Sequence, residues 1–469
     1  MQESTSVGHE KASGAPRFGI GQKLAFGTGS FSQWFVNAAF ITWVFQFYFS
    51  AIRLPVELIW IAYIIWAIAS SVTNPVVGFI SDRTKTRFGR RKPYIIAGTI
   101  LILPIEVLIW LPPASVMGEF VYLIIMLLCY DIAFTMIGLP FDALFPELYT
   151  SVEERAQVNM IKQIMAIIGL LAAFLIPGYI IGTLTASADY LVNGIVTTII
   201  VGMSLLISLK WGVTERTEFK LDYKQDFGFL QNLKHTVRNR GFVIYTALYF
   251  MYEYILLILS TSVYLYSLYV LGVKGTFMAS IMIGMLFIVG FLTVVIWRKL
   301  DVKYGSKRAY GYSIIAYLVA SVPLFFVTVY VEAVIIAALM GFGFGGMLYF
   351  VYLLIADVID EDELKTGVRR EGAFFGVTDF FMRLAMVVSI TTVALVFSGT
   401  GWSQYTPLAG VDTILGLRCL VVVFPGVALL ISYLLLHFYP FTKQRVAENK
   451  ERIKILHEEK LGKVIAANE

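Results

Sequence analysis

Charged residues are scarce in this sequence. Asp, Glu, Lys and Arg make up 15% of the chain against 58% hydrophobic residues, and the mean hydropathy is +0.76. A soluble globular domain carries about 25% charged residues, which cover its surface. The shortage excludes such a domain, because most of the surface would lack polar groups. We therefore expect an integral membrane protein.

Histidine and cysteine are scarcer still, with four and two residues. The histidines fall outside or at the ends of the apolar segments, so buried proton transfer would depend on carboxylates. Cys129 and Cys419 lie inside apolar segments, where a structural disulfide or metal site is not expected. We find no metal-ligand spacing, nucleotide loop or nucleophile–base motif, and we expect neither an enzyme nor a cofactor or metal.

Apolar runs recur along the whole chain. A helix needs about 20 such residues to cross about 30 Å of hydrocarbon, and twelve runs reach that length. They predict an all-α membrane protein with twelve transmembrane helices. The runs are 25–49, 57–80, 93–112, 119–148, 160–183, 190–209, 241–271, 276–297, 309–328, 333–355, 373–397 and 411–436.

The longest polar interruption divides these runs six and six. The halves resemble each other, because Asp82 and Gly89 follow the second run as Asp301 and Gly305 follow the eighth. Duplicated six-helix halves are typical of alternating-access carriers. We predict a cytoplasmic arm (1–20), a first bundle (21–209), a cytoplasmic linker (210–240), a second bundle (241–438) and a cytoplasmic tail (439–469).

Positive charge indicates the orientation. Loops 81–92 and 297–308 contain six and five Lys or Arg residues, whereas the opposite loops contain only Arg53 and Lys274. The positive-inside rule places both termini in the cytoplasm. The first 20 residues lack an apolar signal core, so we expect them to be retained. The net charge of +5 follows from the loop bias, so no nucleic-acid partner is expected.

Glycine is frequent inside the apolar runs, as in GTGS (27–30), NPVVG (74–78) and MGFGFGG (340–346). Small residues let neighbouring helices approach closely. Interrupted helices would instead suit a moving cavity. The sequence leaves both interpretations open.

Several longer motifs resemble one transporter family. They are FGTGSFSQWFVNAAF, NPVVGFISDRTKTRFGRRKPYIIAGT, LPFDALFPEL, ERAQVNMIK and ADVIDEDELKTGVRREGAFFGV, spread over both halves. They resemble the glycoside-pentoside-hexuronide:cation symporters of the major facilitator superfamily. The resemblance implies two pseudo-symmetric six-helix bundles around a central, sugar-sized cavity that opens alternately to each side.

The sequence departs from the family's sodium-coupled member, melibiose permease. Where the resemblance implies carboxylates, this chain has Trp34, Ser70, Asn74 and Gly138. A hard cation prefers several oxygen ligands that carry negative charge. We therefore do not expect sodium coupling through that site.

Asp131 is the first candidate for proton coupling. It lies nine residues before Pro140, the spacing of an Asp in the plant sucrose–proton symporters, which are relatives of the same family. An acid within a membrane helix is a functional candidate because its burial is unfavourable. The alternative is that Asp131 only hydrogen-bonds a neighbouring helix. Glu253, on the seventh run, is the second candidate, and Glu106 is also expected to be buried.

The resemblance also points to cavity residues. Lys162 stands where the family has a substrate-binding Arg, and Arg383 where it has a Lys associated with the cavity. Asp142 replaces a Trp near the sugar. Trp34 and Tyr352 are expected to present flat faces to a sugar ring. The candidate substrate-binding residues are Gln33, Trp34, Asn37, Asp142, Lys162, Tyr352, Asp379 and Arg383.

Alternatives and a gate accompany these candidates. Asp379 and Arg383 are four residues apart on one helix face, so a structural pair is the alternative to a cavity role. Asp142 has an alternative role in a cytoplasmic ion-pair gate, since such networks hold two bundles together in one state. The predicted gate residues are Asp82, Gly89, Arg90, Arg91, Glu147, Arg155, Asp357 and Arg370.

The leading functional hypothesis is a secondary sugar or glycoside transporter in the cell membrane, coupled to protons rather than to sodium, with uncoupled transport left open. We expect a small sugar, a proton and the lipid bilayer as partners, and a monomer as the functional unit. The alternatives are a carrier of lysolipids or other amphipathic solutes and a non-transporting sensor on the same fold.

Overall fold

A computed structural model describes residues 18–84, 86, 89, 91–149, 152–214, 239–367 and 371–468. These ranges are helical and contain no β-strand. The first half contains α1 (Ile20–Gln46), α2 (Val56–Arg83), α3 (Lys92–Leu108), α4 (Val116–Leu148), α5 (Val152–Ile180) and α6 (Ser187–Ile207). The second half contains α7 (Arg240–Tyr269), α8 (Thr276–Tyr304), α9 (Ser306–Ser321), α10 (Tyr330–Thr366), α11 (Glu371–Gly399) and α12 (Val411–Phe438), and α13 (Lys443–Asn468) follows.

Each predicted apolar run lies on one of the helices α1 to α12. Within the described chain, nine of them are long and apolar enough to cross a membrane. Of the other three, α3 and α9 have only 17 and 16 residues, and α1 contains the polar Gln33 and Asn37. The prediction of an all-α membrane protein is confirmed.

Local sequence explains where several helices begin and end. Ser115 Oγ accepts a hydrogen bond from Gly118 N at the start of α4, and Asn239 Oδ1 accepts from Phe242 N at the start of α7. These side chains satisfy backbone donors that the first turn leaves free. Gly305 (φ 83°) and Gly367 (φ 73°) end α8 and α10 in left-handed conformations that favour glycine.

The two halves pack their helices in the same order. In the first half, α1 packs on α5, and α4 packs on both α2 and α3. In the second half, α7 packs on α11, and α10 packs on both α8 and α9. The halves meet along two seams, α2 with α11 and α5 with α8, which a two-fold rotation would exchange. This arrangement is the pseudo-symmetry expected of duplicated carriers.

Contacts between the halves close the end of the molecule opposite to loops 81–92 and 297–308. Phe49 packs against Phe397, with 5.0 Å between the ring centroids, and against Trp402, with 5.4 Å. Gln46 Nε2 donates to the Thr261 carbonyl at 2.6 Å. Trp43 and Tyr264, with ring centroids 4.5 Å apart, lie in the same layer. Aromatic rings therefore fill the space between the halves at this end.

Glycine-rich segments do not interrupt the helices that contain them. Residues 340–346 lie inside the continuous α10, and a Cβ atom on Gly345 would collide with the Gly290 carbonyl of α8. A Cβ atom on Gly343 would likewise collide with the Tyr317 backbone of α9. Close packing is therefore the correct interpretation, and the expectation of interrupted helices at these positions is wrong. Irregular helical segments in the described chain are the π-helical turns at Phe47–Ala51, Ser208–Gly212 and Cys419–Val423 and the 3₁₀ turn at Val322–Phe325.

Candidate functional site

Exposed side chains from both halves indicate a cavity between the halves at the middle of the helices. Tyr352 of α10 is 53% exposed, and Asp379 of α11 is also exposed, although protein surrounds both side chains on most sides. Asp142 of α4 is 62% exposed. It lies close enough to Asp379 for the two carboxylates to repel each other. Since aromatic contacts lie between the halves at the opposite end, we infer that this cavity opens toward the end that carries loops 81–92 and 297–308.

Asp131 lies beside this cavity and is 2% exposed. Its Oδ1 atom accepts hydrogen bonds from Ser70 Oγ at 2.6 Å and from Trp66 Nε1 at 3.2 Å, both on α2. Its Oδ2 atom is buried and has no hydrogen-bond partner within the described residues. A buried carboxylate oxygen without a hydrogen-bond partner is energetically unfavourable.

Arg383 faces Asp131 from the other half of the molecule. Its Nη2 atom lies 3.9 Å from Asp131 Oδ1, and the Arg383 side chain is 16% exposed. Among the described residues, the ion-pair partner of Arg383 is Asp131 and not Asp379. The alternative of a locked pair within α11 is not what the structure shows. Asp379, one turn earlier, contributes only a longer-range attraction to Arg383.

Lys162 and Asp142 form a second ion pair within the first half. Lys162 Nζ of α5 donates to Asp142 Oδ1 at 3.0 Å. The ammonium group also lies 4.7 Å from the Phe145 ring centroid and 5.6 Å from that of Phe141, in the range of cation–π attraction. Asp142 is therefore engaged in the cavity wall, whereas the side chains of its alternative partners, Glu147 and Arg155, lie outside the described residues.

Glu253 adds a further carboxylate from α7. It is half-buried, and Tyr249, Tyr352 and Asp379 are its neighbours. With Asp131, Asp142 and Asp379 it gives four carboxylates, against the two cations Lys162 and Arg383. Acidic side chains therefore outnumber basic ones among the described residues around the cavity.

At two positions where the resemblance implies sodium-site carboxylates, this chain has residues that hydrogen-bond α2 to α4. Ser70 donates to Asp131, and Asn74 Oδ1 accepts a hydrogen bond from Thr135 Oγ1 at 2.9 Å. Gly138 lies beside Gln33 of α1, whose Nε2 atom is buried without a partner in the described chain.

The remaining candidates on α1 differ in exposure. Trp34 is 44% exposed, and Asn37 is half-buried. An exposed indole ring is the type of group that covers one face of a sugar ring.

Part of the predicted gate lies outside the described residues. This holds for Arg90 and Arg370 and for the side chains of Asp82, Glu147 and Arg155. Thr86 Oγ1 donates a hydrogen bond to the carbonyl of Gly89 (φ 103°) at 2.6 Å. Arg91 directly precedes α3. Asp357 is buried in α10, near Lys450 of α13.

Two residues of the site were not predicted as site residues from the sequence, Trp66 beside Asp131 and Tyr249 beside Glu253. Trp66 lies four residues before Ser70, so both occupy one face of α2. This spacing in front of a recognised family position is the signal that could have identified it.

Comparisons with known proteins agree with this architecture. The model of the family described as MFS/sugar transport protein matches residues 25–443. The uncharacterized symporter YnaJ of Bacillus subtilis (strain 168) is 24% identical, covering 93% of this chain and 96% of its own. YagG of Escherichia coli (strain K12), named for glycoside/cation symport, is 22% identical, with 90% and 92% covered. The sodium-dependent lysophosphatidylcholine symporter 1 of Gallus gallus is 24% identical, with 83% and 80% covered.

Solved structures share the fold at lower identity. The nucleoside transporter NupG superimposes with a TM-score of 0.67 at 14% identity, covering 90% of this chain and all of its own. The D-xylose-proton symporter gives a TM-score of 0.63 at 15% identity, with 90% and 98% covered. At these identities the likeness shows the fold alone. The family match covers most of the sequence, and the chain is thus a multi-pass membrane protein of the MFS/sugar transport family, within the glycoside-pentoside-hexuronide:cation symporters of the major facilitator superfamily.

Proposed function

We propose that this protein is a secondary active transporter that moves a sugar or glycoside together with a proton. The observation that carries the proposal is the Asp131–Arg383 pair, because it joins a buried carboxylate of one half to a cavity cation of the other. A carrier that alternates between two states needs an element whose contacts between the halves change with ligand and ion occupancy.

The pair gives protonation a direct mechanical effect. Ionised Asp131 attracts Arg383 and thereby links α4 to α11 at the wall of the cavity. A proton bound at Oδ2 removes the negative charge, so the attraction between the halves weakens and Arg383 becomes available to a substrate hydroxyl group. Release of the proton restores the attraction. Proton and substrate thus act on one contact, which is the requirement for coupling.

The geometry favours a proton over sodium. A sodium ion needs several free oxygen ligands, but Asp131 Oδ1 is already bonded by Ser70 and Trp66. The Arg383 guanidinium group, 3.9 Å away, repels a second cation. A proton needs only one free oxygen, and Oδ2 provides it.

The cavity wall supports a neutral, hydroxyl-rich substrate. We place the exposed indole of Trp34 and phenol of Tyr352 at this wall, where they supply apolar faces with polar edges. Asp142 and Asp379 supply acceptors, and Lys162 supplies a donor. We place the protein in the cell membrane, with both termini in the cytoplasm because of loops 81–92 and 297–308, and with a monomer as the working unit.

Uptake into proteoliposomes tests the proposal. Labelled sugars and glycosides would be offered with an imposed proton gradient, with an imposed sodium gradient and with neither. We expect a proton gradient alone to drive accumulation of at least one sugar. The lysophosphatidylcholine symporter among the relatives makes uptake of a labelled lysolipid the informative second arm. Lysolipid uptake without sugar uptake would replace the sugar proposal, and the absence of any solute flux would favour a sensor.

A further inference from the structure

The C-terminal helix α13 is fixed firmly against the second half. Lys443 Nζ donates to the carbonyl oxygens of Val302, at 2.9 Å, and Lys303, at 3.2 Å, which belong to the last turns of α8. Lys307 Nζ donates to the Tyr439 carbonyl, just before α13, at 2.6 Å. Ile453, in the middle of α13, is buried. The surface that α13 presents toward α10 is therefore already formed before any ligand binds.

A cavity of about 380 Å³ lies between α13 and the last turns of α10. This volume is within the range of about 300–1,000 Å³ typical of small-molecule sites. One wall contains Glu361 and Lys365 of α10. The other contains Arg445, Asn449 and Arg452 of α13, whose spacing places them on one helix face. We call this cavity the tail pocket, and its lining shares no residue with the central cavity.

Cations outnumber carboxylates in the tail pocket. The Glu361 carboxylate is contacted on Oε1 by Arg445 and on Oε2 by Lys365 at 3.1 Å, so two cations share one negative charge. Arg452 adds a third cation, which forms no ion pair within the described residues. The second carboxylate, Glu448, accepts a hydrogen bond from Gln444 at 3.0 Å. The lining therefore has a net positive charge.

Asn449 provides an independent sign of a ligand. It is 8% exposed, and its Nδ2 atom is buried without a hydrogen-bond acceptor in the described chain. Such a donor is unfavourable unless a partner is supplied. Asn449 lines the tail pocket between Arg445 and Arg452, so rotation of its side chain toward the pocket would bring the amide to an acceptor oxygen held there.

We propose that the tail pocket binds a phosphate group carried by a small solute of about the size of a sugar phosphate. The phosphate oxygens accept charge-assisted hydrogen bonds from Arg445 and Arg452, whose planar guanidinium groups suit this geometry. The Asn449 amide donates a further bond. The hydroxyl groups of the solute meet Thr442 and Glu448 on the same lining. A phospholipid headgroup from the adjacent membrane carries the same chemistry, and the experiment separates the two sources.

Binding is measured on the purified full-length protein in detergent, by calorimetry with inorganic phosphate and with glucose 6-phosphate at constant ionic strength. We expect saturable binding of glucose 6-phosphate that Arg452→Gln weakens at least about tenfold, the usual loss for a charge-assisted contact. Lys454→Gln is the matched control, since Lys454 is an exposed cation on α13 outside the pocket lining. It should leave the affinity within about twofold.

Asn449→Leu separates a loss of binding from a loss of folding. It should weaken binding while keeping or raising the melting temperature, because it removes a buried amide without a partner. In lipid nanodiscs, melting is compared between phosphatidylcholine alone and phosphatidylcholine with phosphatidylglycerol. Stabilisation by phosphatidylglycerol that depends on Arg452, without binding of glucose 6-phosphate, assigns the phosphate to a lipid headgroup. Equal effects of Arg452→Gln and Lys454→Gln, or no saturable binding of any probe, would overturn the proposal.

Discussion

At the scale of single residues, the proposed coupling of ion and substrate depends on the contact between Asp131 and Arg383. Asp131 contacts Trp66 and Ser70 through one oxygen and leaves the other without a partner in the described chain. Arg383 approaches it from the opposite half. The alternative stated for Asp131, that it hydrogen-bonds a neighbouring helix, therefore describes part of its environment and does not compete with a role in coupling.

Asp131→Asn is expected to abolish proton-driven accumulation while leaving sugar exchange largely intact. Asparagine imitates the protonated carboxyl, so the loaded carrier can still reorient, but it cannot release a proton. Counterflow and gradient-driven uptake in proteoliposomes measure the two modes separately. Glu332→Gln, an exposed acid at the start of α10, is the control and should change neither mode. Unchanged accumulation in Asp131→Asn would transfer the role to Glu253 or Glu106.

Arg383→Gln is expected to weaken substrate binding at least about tenfold and to lower stability, because it leaves Asp131 charged and unpaired in a buried position. Combining it with Asp131→Asn should recover the stability but not the binding. Thermal melting and equilibrium substrate binding of the double-mutant cycle resolve the two effects, with an expected coupling energy of about 0.5–3 kcal/mol. Recovery of substrate binding in the double variant would reduce Arg383 to a structural partner.

At the scale of helices, Lys162→Ala is expected to abolish substrate binding and to leave folding nearly unchanged. Lys162 joins α5 to Asp142 of α4 at a solvent-exposed position, where an ion pair contributes little to stability. The comparison of binding with melting checks this expectation. A large fall in the melting temperature would instead show that the pair holds α4 and α5 together.

Helix packing in the second half depends on the glycines of α10. Gly345→Ala should destabilise the protein by about 1–3 kcal/mol, because its methyl group meets the Gly290 carbonyl of α8. Gly399→Ala is the matched control, since no atom lies within 4 Å of the added carbon at the end of α11. Its effect should stay within about 0.5 kcal/mol. Thermal melting in one detergent measures both variants, and equal effects would contradict the close contact.

At the scale of the whole molecule, the structure describes one state of a two-state carrier. Aromatic contacts around Phe49 close one end, and in the proposed cycle one half rotates against the other along the seams α2 with α11 and α5 with α8. In this state the central cavity opens toward the loops rich in Lys and Arg, the end that we assign to the cytoplasm.

The choice of coupling ion depends on how the whole molecule is assembled, because the candidate site contains residues from α2, α4 and α11. Sugar uptake at constant pH should be indifferent to sodium, since Asp131 Oδ1 is already bonded and Arg383 repels a second cation. Uptake measured over a series of sodium concentrations, with choline replacing sodium, checks this. A steep, saturable dependence on sodium would refute proton coupling at this site.

The sequence alone determined the helices of this protein, because a run of about 20 apolar residues has few other options in a membrane. Each of the twelve runs became one helix, and the recurrence of loop motifs after the second and eighth runs predicted the duplicated halves. The sequence also identified Asp131, Asp142 and Arg383 as charges in apolar runs, and the family resemblance added Lys162.

Only the tertiary structure decided which of these charges meet. Spacing along α11 left a structural pair of Arg383 with Asp379 as the alternative to a cavity role, yet the ion-pair partner of Arg383 in the described chain is Asp131, on a helix of the other half. Likewise, the glycines of α10 fit both an interrupted and a closely packed helix until the α8 backbone was found against Gly345. A local pattern reports the face of a helix on which a residue lies. The residue that it meets depends on how α2, α4 and α11 pack together, which is a property of distant parts of the chain.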